Sequence, residues 1–136
     1  MSNETSHHKW ERGIIYLLNL DGWDLEWTGE EFEHYDARGK TPKGFDCVIE
    51  FKLRNAYYPT KVLEKYKYDK IMENDCLKFY YVFDSRGNYL YYLDSLELPE
   101  PNIINCKATE KFGRDELINK TVYFLSESQA SLINKY

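Results

Sequence analysis

Apolar positions recur at two periods along the chain, and the switches between them mark the elements. From about Glu4 to Leu20, Trp10, Ile14, Leu17 and Leu18 fall at i, i+4, i+7 and i+8, which predicts one apolar helical stripe. Ser2, Thr5 or Ser6 can cap its start, and Asp21-Gly22 ends it. Trp23 to Thr28 then alternates as a short strand does, and Gly29 breaks it. Phe32–Asp36 and Phe45–Leu53 read as two strands joined by a turn from Arg38 to Gly44, which carries two glycines and a proline. In the second of these, Cys47, Ile49, Phe51 and Leu53 share one face, and Asp46, Val48, Glu50 and Lys52 the other.

Pro59 suits the first turn of a helix, predicted over Thr60–Asn74 with Val62, Leu63 and Tyr66 on its apolar side. Leu77–Asp84 and Tyr89–Leu93, around Ser85-Arg86-Gly87-Asn88, form an aromatic hairpin. Further strands are expected near Ile103–Ala108 and Thr121–Leu125, with a short closing helix from Ser126. The result is an α/β domain with a central mixed sheet flanked by helices. The 136 residues suit one core, with no repeat or linker to divide them.

Composition narrows the function classes. Cys47, Cys76 and Cys106 are odd in number and form no CxxC pair, which argues against a disulfide framework or structural zinc and favours a reducing compartment. No apolar run is long enough to span a membrane, and the polar first dozen residues do not resemble a signal peptide, so a cytoplasmic location is expected. The net charge of −5 looks wrong for a nucleic-acid binder, but its distribution changes that. Asp21 to Ala37 holds seven acids and no Lys or Arg, whereas Arg38 to Lys70 holds nine bases against four acids. Phosphate attraction follows the local field, so a basic middle can grip a backbone.

The chemistry centres on Glu50-Phe51-Lys52. Residues i and i+2 of a strand share a face, which sets a carboxylate beside an ammonium and next to the Phe51 carbonyl. Such a pair on an exposed strand contributes little by itself. A Mg²⁺ site needs a further acid. Asp46 lies about 13 Å up the same strand at ~3.3 Å per residue, too far without a bulge. Asp36 lies on the preceding strand. A hairpin folding about Lys43 pairs positions whose numbers sum to 86, which sets Asp36 opposite Glu50 with Cβ atoms ~5 Å apart. Two carboxylates that close repel unless a cation joins them.

Tyr35-Asp36, followed after thirteen residues by Glu50-Phe51-Lys52, resembles the motif of the PD-(D/E)XK, or restriction-endonuclease-like, nucleases. Tyr stands where the motif has Pro. The order helix, three strands, helix, strand over about residues 5–95 also resembles that fold's core, with residues 96–136 as a C-terminal elaboration. A small phage-type or Holliday-junction-resolvase-like member is the nearest pattern; if phage-encoded, it would act in the host cytoplasm. The resemblance implies hydrolysis of phosphodiester bonds, in DNA before RNA and as an endonuclease before an exonuclease. Asp36, Glu50 and the Phe51 carbonyl would hold Mg²⁺ or Mn²⁺, with Asp46 as the alternative ligand. Lys52 would orient the water or neutralise charge on phosphorus. Glu11, on the first helix, would support the metal or its water. Arg54, Lys61 and Lys65 would hold the backbone, and Lys67 or Lys70 would fill the basic position on the helix after the motif. A homodimer is compatible with this reading, since so small a domain offers little surface to grip a duplex. The alternatives are a non-catalytic nucleic-acid-binding module on the same fold and a tyrosine-rich protein-interaction domain.

Overall fold

The computed structural model describes residues 6–29, 34–107 and 117–135. Helix α1 (Ser6–Leu20) is followed by β1 (Asp24–Trp27), β2 (Ala37–Lys40) and β3 (Asp46–Leu53). Then come β4 (Thr60–Glu64), helix α2 (Lys65–Ile71), β5 (Leu77–Asp84) and β6 (Gly87–Tyr92). The chain continues through β7 (Asn102–Lys107), β8 (Leu117–Ser126), a 3₁₀ turn (Glu127–Gln129) and β9 (Leu132–Lys135). Six strands form a mixed sheet in the order β1-β2-β3-β5-β6-β9, with β3 and β5 parallel and the other neighbours antiparallel. A second, antiparallel sheet runs β4-β8-β7.

Both faces of the large sheet are buried. Ile49, Phe51, Phe79, Tyr81 and Phe83 pack with Ile15 of α1 on one side. Val48, Tyr80, Val82, Tyr89 and Tyr91 pack with Leu63, Ile71, Tyr123 and Leu125 on the other. A strand covered on both faces is apolar nearly throughout, as Leu77–Asp84 is. Glu50 and Lys52 lie on the face that carries Val48, turned toward β4 and α2. Among the described residues, no helix is long and apolar enough to cross a membrane.

Several expectations need correction. Phe32–Asp36 is not the strand: Phe32 and Glu33 lie outside the described residues, and β2 begins at Ala37. Gly39 belongs inside β2 because the strand runs hard against β1; a Cβ there would lie 1.9 Å from the Asp24 carbonyl oxygen. The turn is confined to Thr41–Phe45, closed by Thr41 N–H donating to the Phe45 carbonyl and Gly44 N–H to that of Thr41 (both 2.8 Å).

The first five residues of the predicted Thr60–Asn74 helix form β4. There Lys61 and Leu63 are buried in alternation, and pairing with β8 outweighs the helix-start signal of Pro59. On α1, Trp10, Ile14 and Leu18 pack against the core beside buried Glu11 and Ile15, but Leu17 is 59% exposed. The closing helix is a single 3₁₀ turn, after which β9 pairs along the edge of β6.

Lys61 is also not a surface contact. Its ammonium lies 2.6 Å from Asp84 Oδ2 with both side chains almost fully buried, donates to the Tyr58 carbonyl, and sits over the Tyr57 and Tyr89 rings. Asp84 in turn accepts from the Arg86 and Gly87 amides at the β5–β6 turn. The pair thus joins the second sheet to the first. Removing one partner of such a pair leaves a buried charge without compensation. Lys61→Met should therefore lower the unfolding free energy by about 3 kcal/mol in urea titration. Lys40→Met, which breaks an exposed pair with Asp46, should leave the transition in place.

Candidate active site at the end of the β2–β3 ladder

The hairpin register decides where the carboxylates meet. Ala37 pairs with Ile49, Arg38 with Val48 and Lys40 with Asp46, so paired positions sum to 86. Asp36 lies one step beyond the last ladder pair, beside Glu50. Its backbone is held twice: its N–H donates to the Ile49 carbonyl (2.9 Å), and its own carbonyl accepts from Thr28 N–H (2.8 Å). Its side chain replaces the next ladder partner, with Oδ2 accepting from Phe51 N–H at 2.9 Å. Strand alternation directs the Phe51 carbonyl to this same side, past the end of β2.

Glu50 enters from the face toward α2, where its side chain is only 13% exposed, and Lys67 of α2 approaches Oε1 at 3.5 Å. Burial, then the neighbouring Asp36, pushes the Glu50 carboxyl well above the usual carboxylate range; Lys67 works in the opposite sense. Glu11 reaches the cluster from α1. It is buried and accepts from Trp27 Nε1 at 3.0 Å. Burial and Asp36 raise its pKa to about 7.

Lys67 feels opposing influences. Burial disfavours its charge, but Glu50, Glu64 and Asp36 outweigh burial and hold its pKa above the usual lysine value. Lys52 lies on the opposite balance, its pKa lowered by burial and by the neighbouring Lys67 and Arg54.

The structure therefore draws Asp36, Glu50, Glu11 and Lys67 together, with Lys52 next along the strand. It does not bring the others there. Asp46 is exposed at the far end of β3, 2.6 Å from Lys40. Lys65 pairs with Asp69, and Lys70 lies over the Tyr66 ring and 4.0 Å from Glu73. Arg54 follows the end of β3 and lies beside Lys52 on the wall of one cleft.

Two contributors went unnoticed in the sequence. Trp27 orients Glu11, and Glu64 bridges Lys67 (3.7 Å) and Lys120 (2.7 Å). The spacing of Glu64 and Lys67, three residues apart, was the available sign of the second, but it counts only where a helix begins at Lys65.

Among the described residues, no three His, Cys, Asp or Glu side chains close into a ready metal cluster. The donors at the ladder's end are the Asp36 and Glu50 carboxylates and the Phe51 carbonyl, with Glu11 set back against Trp27. Hard oxygen donors with excess negative charge, held where burial disfavours that charge, suit a small divalent cation such as Mg²⁺ or Mn²⁺.

Among solved structures, a Holliday junction resolvase of the hyperthermophilic archaeon Archaeoglobus fulgidus, Hjc, superposes on this chain with a TM-score of 0.62. The match covers 96% of this chain and 92% of the resolvase at 14% identity. The two proteins share a fold. It is the restriction-endonuclease-like arrangement, a central mixed sheet flanked by helices, and at this identity the likeness carries the fold alone. No protein-family model and no curated protein matches the sequence.

The raised carboxyls fix the sign of a pH effect. The folded protein keeps a proton on Glu11 that the unfolded chain releases above its ordinary value of 4.5. This contribution to stability is complete below 4.5 and is lost as pH rises through about 7. In EDTA, urea titration should show wild type losing stability between these limits. Glu11→Gln should lose on the order of 3 kcal/mol less and be the more stable protein above pH 7.

Proposed function

We propose that this chain is a metal-dependent nuclease that hydrolyses phosphodiester bonds in DNA. The observation that carries the reading is the pinned Asp36 beside the largely buried Glu50 at the end of the β2–β3 ladder, with Lys52 on the same face, in a fold shared with a junction resolvase. Asp36, Glu50 and the Phe51 carbonyl would hold Mg²⁺ or Mn²⁺. When bound, the ion supplies Lewis-acid polarisation of the phosphoryl oxygen and a lowered pKa for water.

The protein's own groups do the rest. The three main-chain bonds at Asp36 fix one carboxylate before any ligand arrives, so little reorganisation is needed. Glu11, set by Trp27, accepts a hydrogen bond from water at the site. Lys52, with its pKa lowered, lies where it can steer the attacking water or offset charge developing on the phosphate. Lys67, 3.5 Å from Glu50 Oε1, partly balances that carboxylate.

The test is cleavage of circular duplex, single-stranded, branched and RNA substrates with Mg²⁺, Mn²⁺ or EDTA. Cleavage should require metal, and Glu50→Gln, Asp36→Asn and Lys52→Ala should each reduce it at least about a hundredfold. No cleavage of any substrate by folded wild type would move the assignment to a nucleic-acid-binding module without catalysis.

Metal binding has an independent readout. Millimolar Mn²⁺ at pH 8 should raise the wild-type melting temperature, and Glu50→Gln should largely abolish that rise. An equal rise in both proteins would remove Glu50 from the metal site.

A further inference from the structure

Beyond Glu50, the next positions on the same face are Lys52 and, just past the strand, Arg54, whose N–H continues the pairing by donating to the Phe83 carbonyl. Both line a cleft of about 180 Å³ between the two sheets. Its other walls are Tyr58, Thr60 and Val62 at the start of the second sheet, Val82 and Asp84 of β5, and Ile104 of β7. The cleft thus continues the candidate active site along β3, at a step of ~6.6 Å per same-face residue, comparable to the repeat of successive phosphates on one strand.

Its walls divide by chemistry. Two cations, Lys52 and Arg54, line it together with Thr60. Val62, Val82 and Ile104 form an apolar slot, and the Tyr58 ring stands at the rim, 54% exposed. The floor is the Lys61–Asp84 pair, which neutralises its own carboxylate so that it does not repel an anion. Lys61 also donates to the Tyr58 carbonyl at 2.6 Å, which fixes the rim residue from behind. An anionic group joined to a flat, largely apolar ring matches this division.

We propose that the cleft is a nucleotide subsite: one unpaired nucleotide beside the cleaved linkage lies in it, phosphate toward Arg54 and Thr60, base against Tyr58 with Ile104 opposite. The inference rests on the nuclease reading of the adjoining carboxylates and gives it a substrate class. Strands with unpaired nucleotides next to the cleavage point (single strands, flaps and splayed arms) are bound and cut in preference to continuous duplex. Base–aromatic stacking is tolerant of sequence, so this site selects for unpaired structure rather than for a particular base.

The test is fluorescence anisotropy with a labelled ten-nucleotide oligothymidylate and a blunt hairpin duplex in EDTA, paired with cleavage of flapped and blunt substrates in Mg²⁺. Arg54→Ala and Tyr58→Ala, both folded by circular dichroism, should each weaken oligothymidylate binding about tenfold, and Tyr58→Phe should restore it. Duplex binding should be weaker at the outset and indifferent to Tyr58. Unchanged oligothymidylate affinity in both alanine variants would overturn the subsite, as would equal cleavage of flapped and blunt DNA. Binding that depends on Tyr58 in a protein that cuts nothing would keep the subsite and discard the nuclease reading.

Discussion

One hydrogen bond organises the candidate site: the Phe51 amide donating to Asp36 Oδ2. The β2–β3 ladder stops at Ala37 and Ile49, so Phe51 meets a side chain where another backbone carbonyl would have stood. A sheet interior leaves few amides without partners, and here that requirement is met by a carboxylate. The same Asp36 is held through its N–H and its carbonyl, which ties its position to β3 and to Thr28. Glu50, Lys52 and the Phe51 carbonyl then take their places from strand alternation alone.

The cluster's electrostatics follow from what covers it. α1 brings Glu11 and α2 brings Lys67, while the sheet supplies Glu50 between two packed faces. Burial makes each carboxylate costly, and the arrangement gathers several of them against the cation of Lys67. A structure selected for stability alone would favour apolar residues here. Concentrated, desolvated charge is the pattern of a site that binds something.

Some of this could be read from the chain before folding. The register was legible because a hairpin fixes pairs by their sum, and misplacing the strand by several residues did not disturb that sum. The E-x-K spacing was legible for the same local reason. Thr60–Glu64 was not, because its strand character comes from pairing with Val122–Ser126, far away in sequence. Lys61 was misread with it, since a lysine in a basic stretch gives no local sign of the buried aspartate awaiting it. On α1, the stripe of Trp10, Ile14 and Leu18 does face the core, but its centre lies toward Glu11 and Ile15, which leaves Leu17 outside.

Glu64 has a consequence of another kind. It closes the β4 ladder opposite Val122, accepts from Lys120 of β8 at 2.7 Å, and lies 3.7 Å from Lys67. One side chain therefore belongs both to the seam of the second sheet and to the surroundings of Glu50. In the language of local opening, fraying β4 from β8 would also release one of the charges that hold Lys67. The small sheet thereby reaches the site through Glu64, although Asp36, Glu50 and Glu11 all lie outside it.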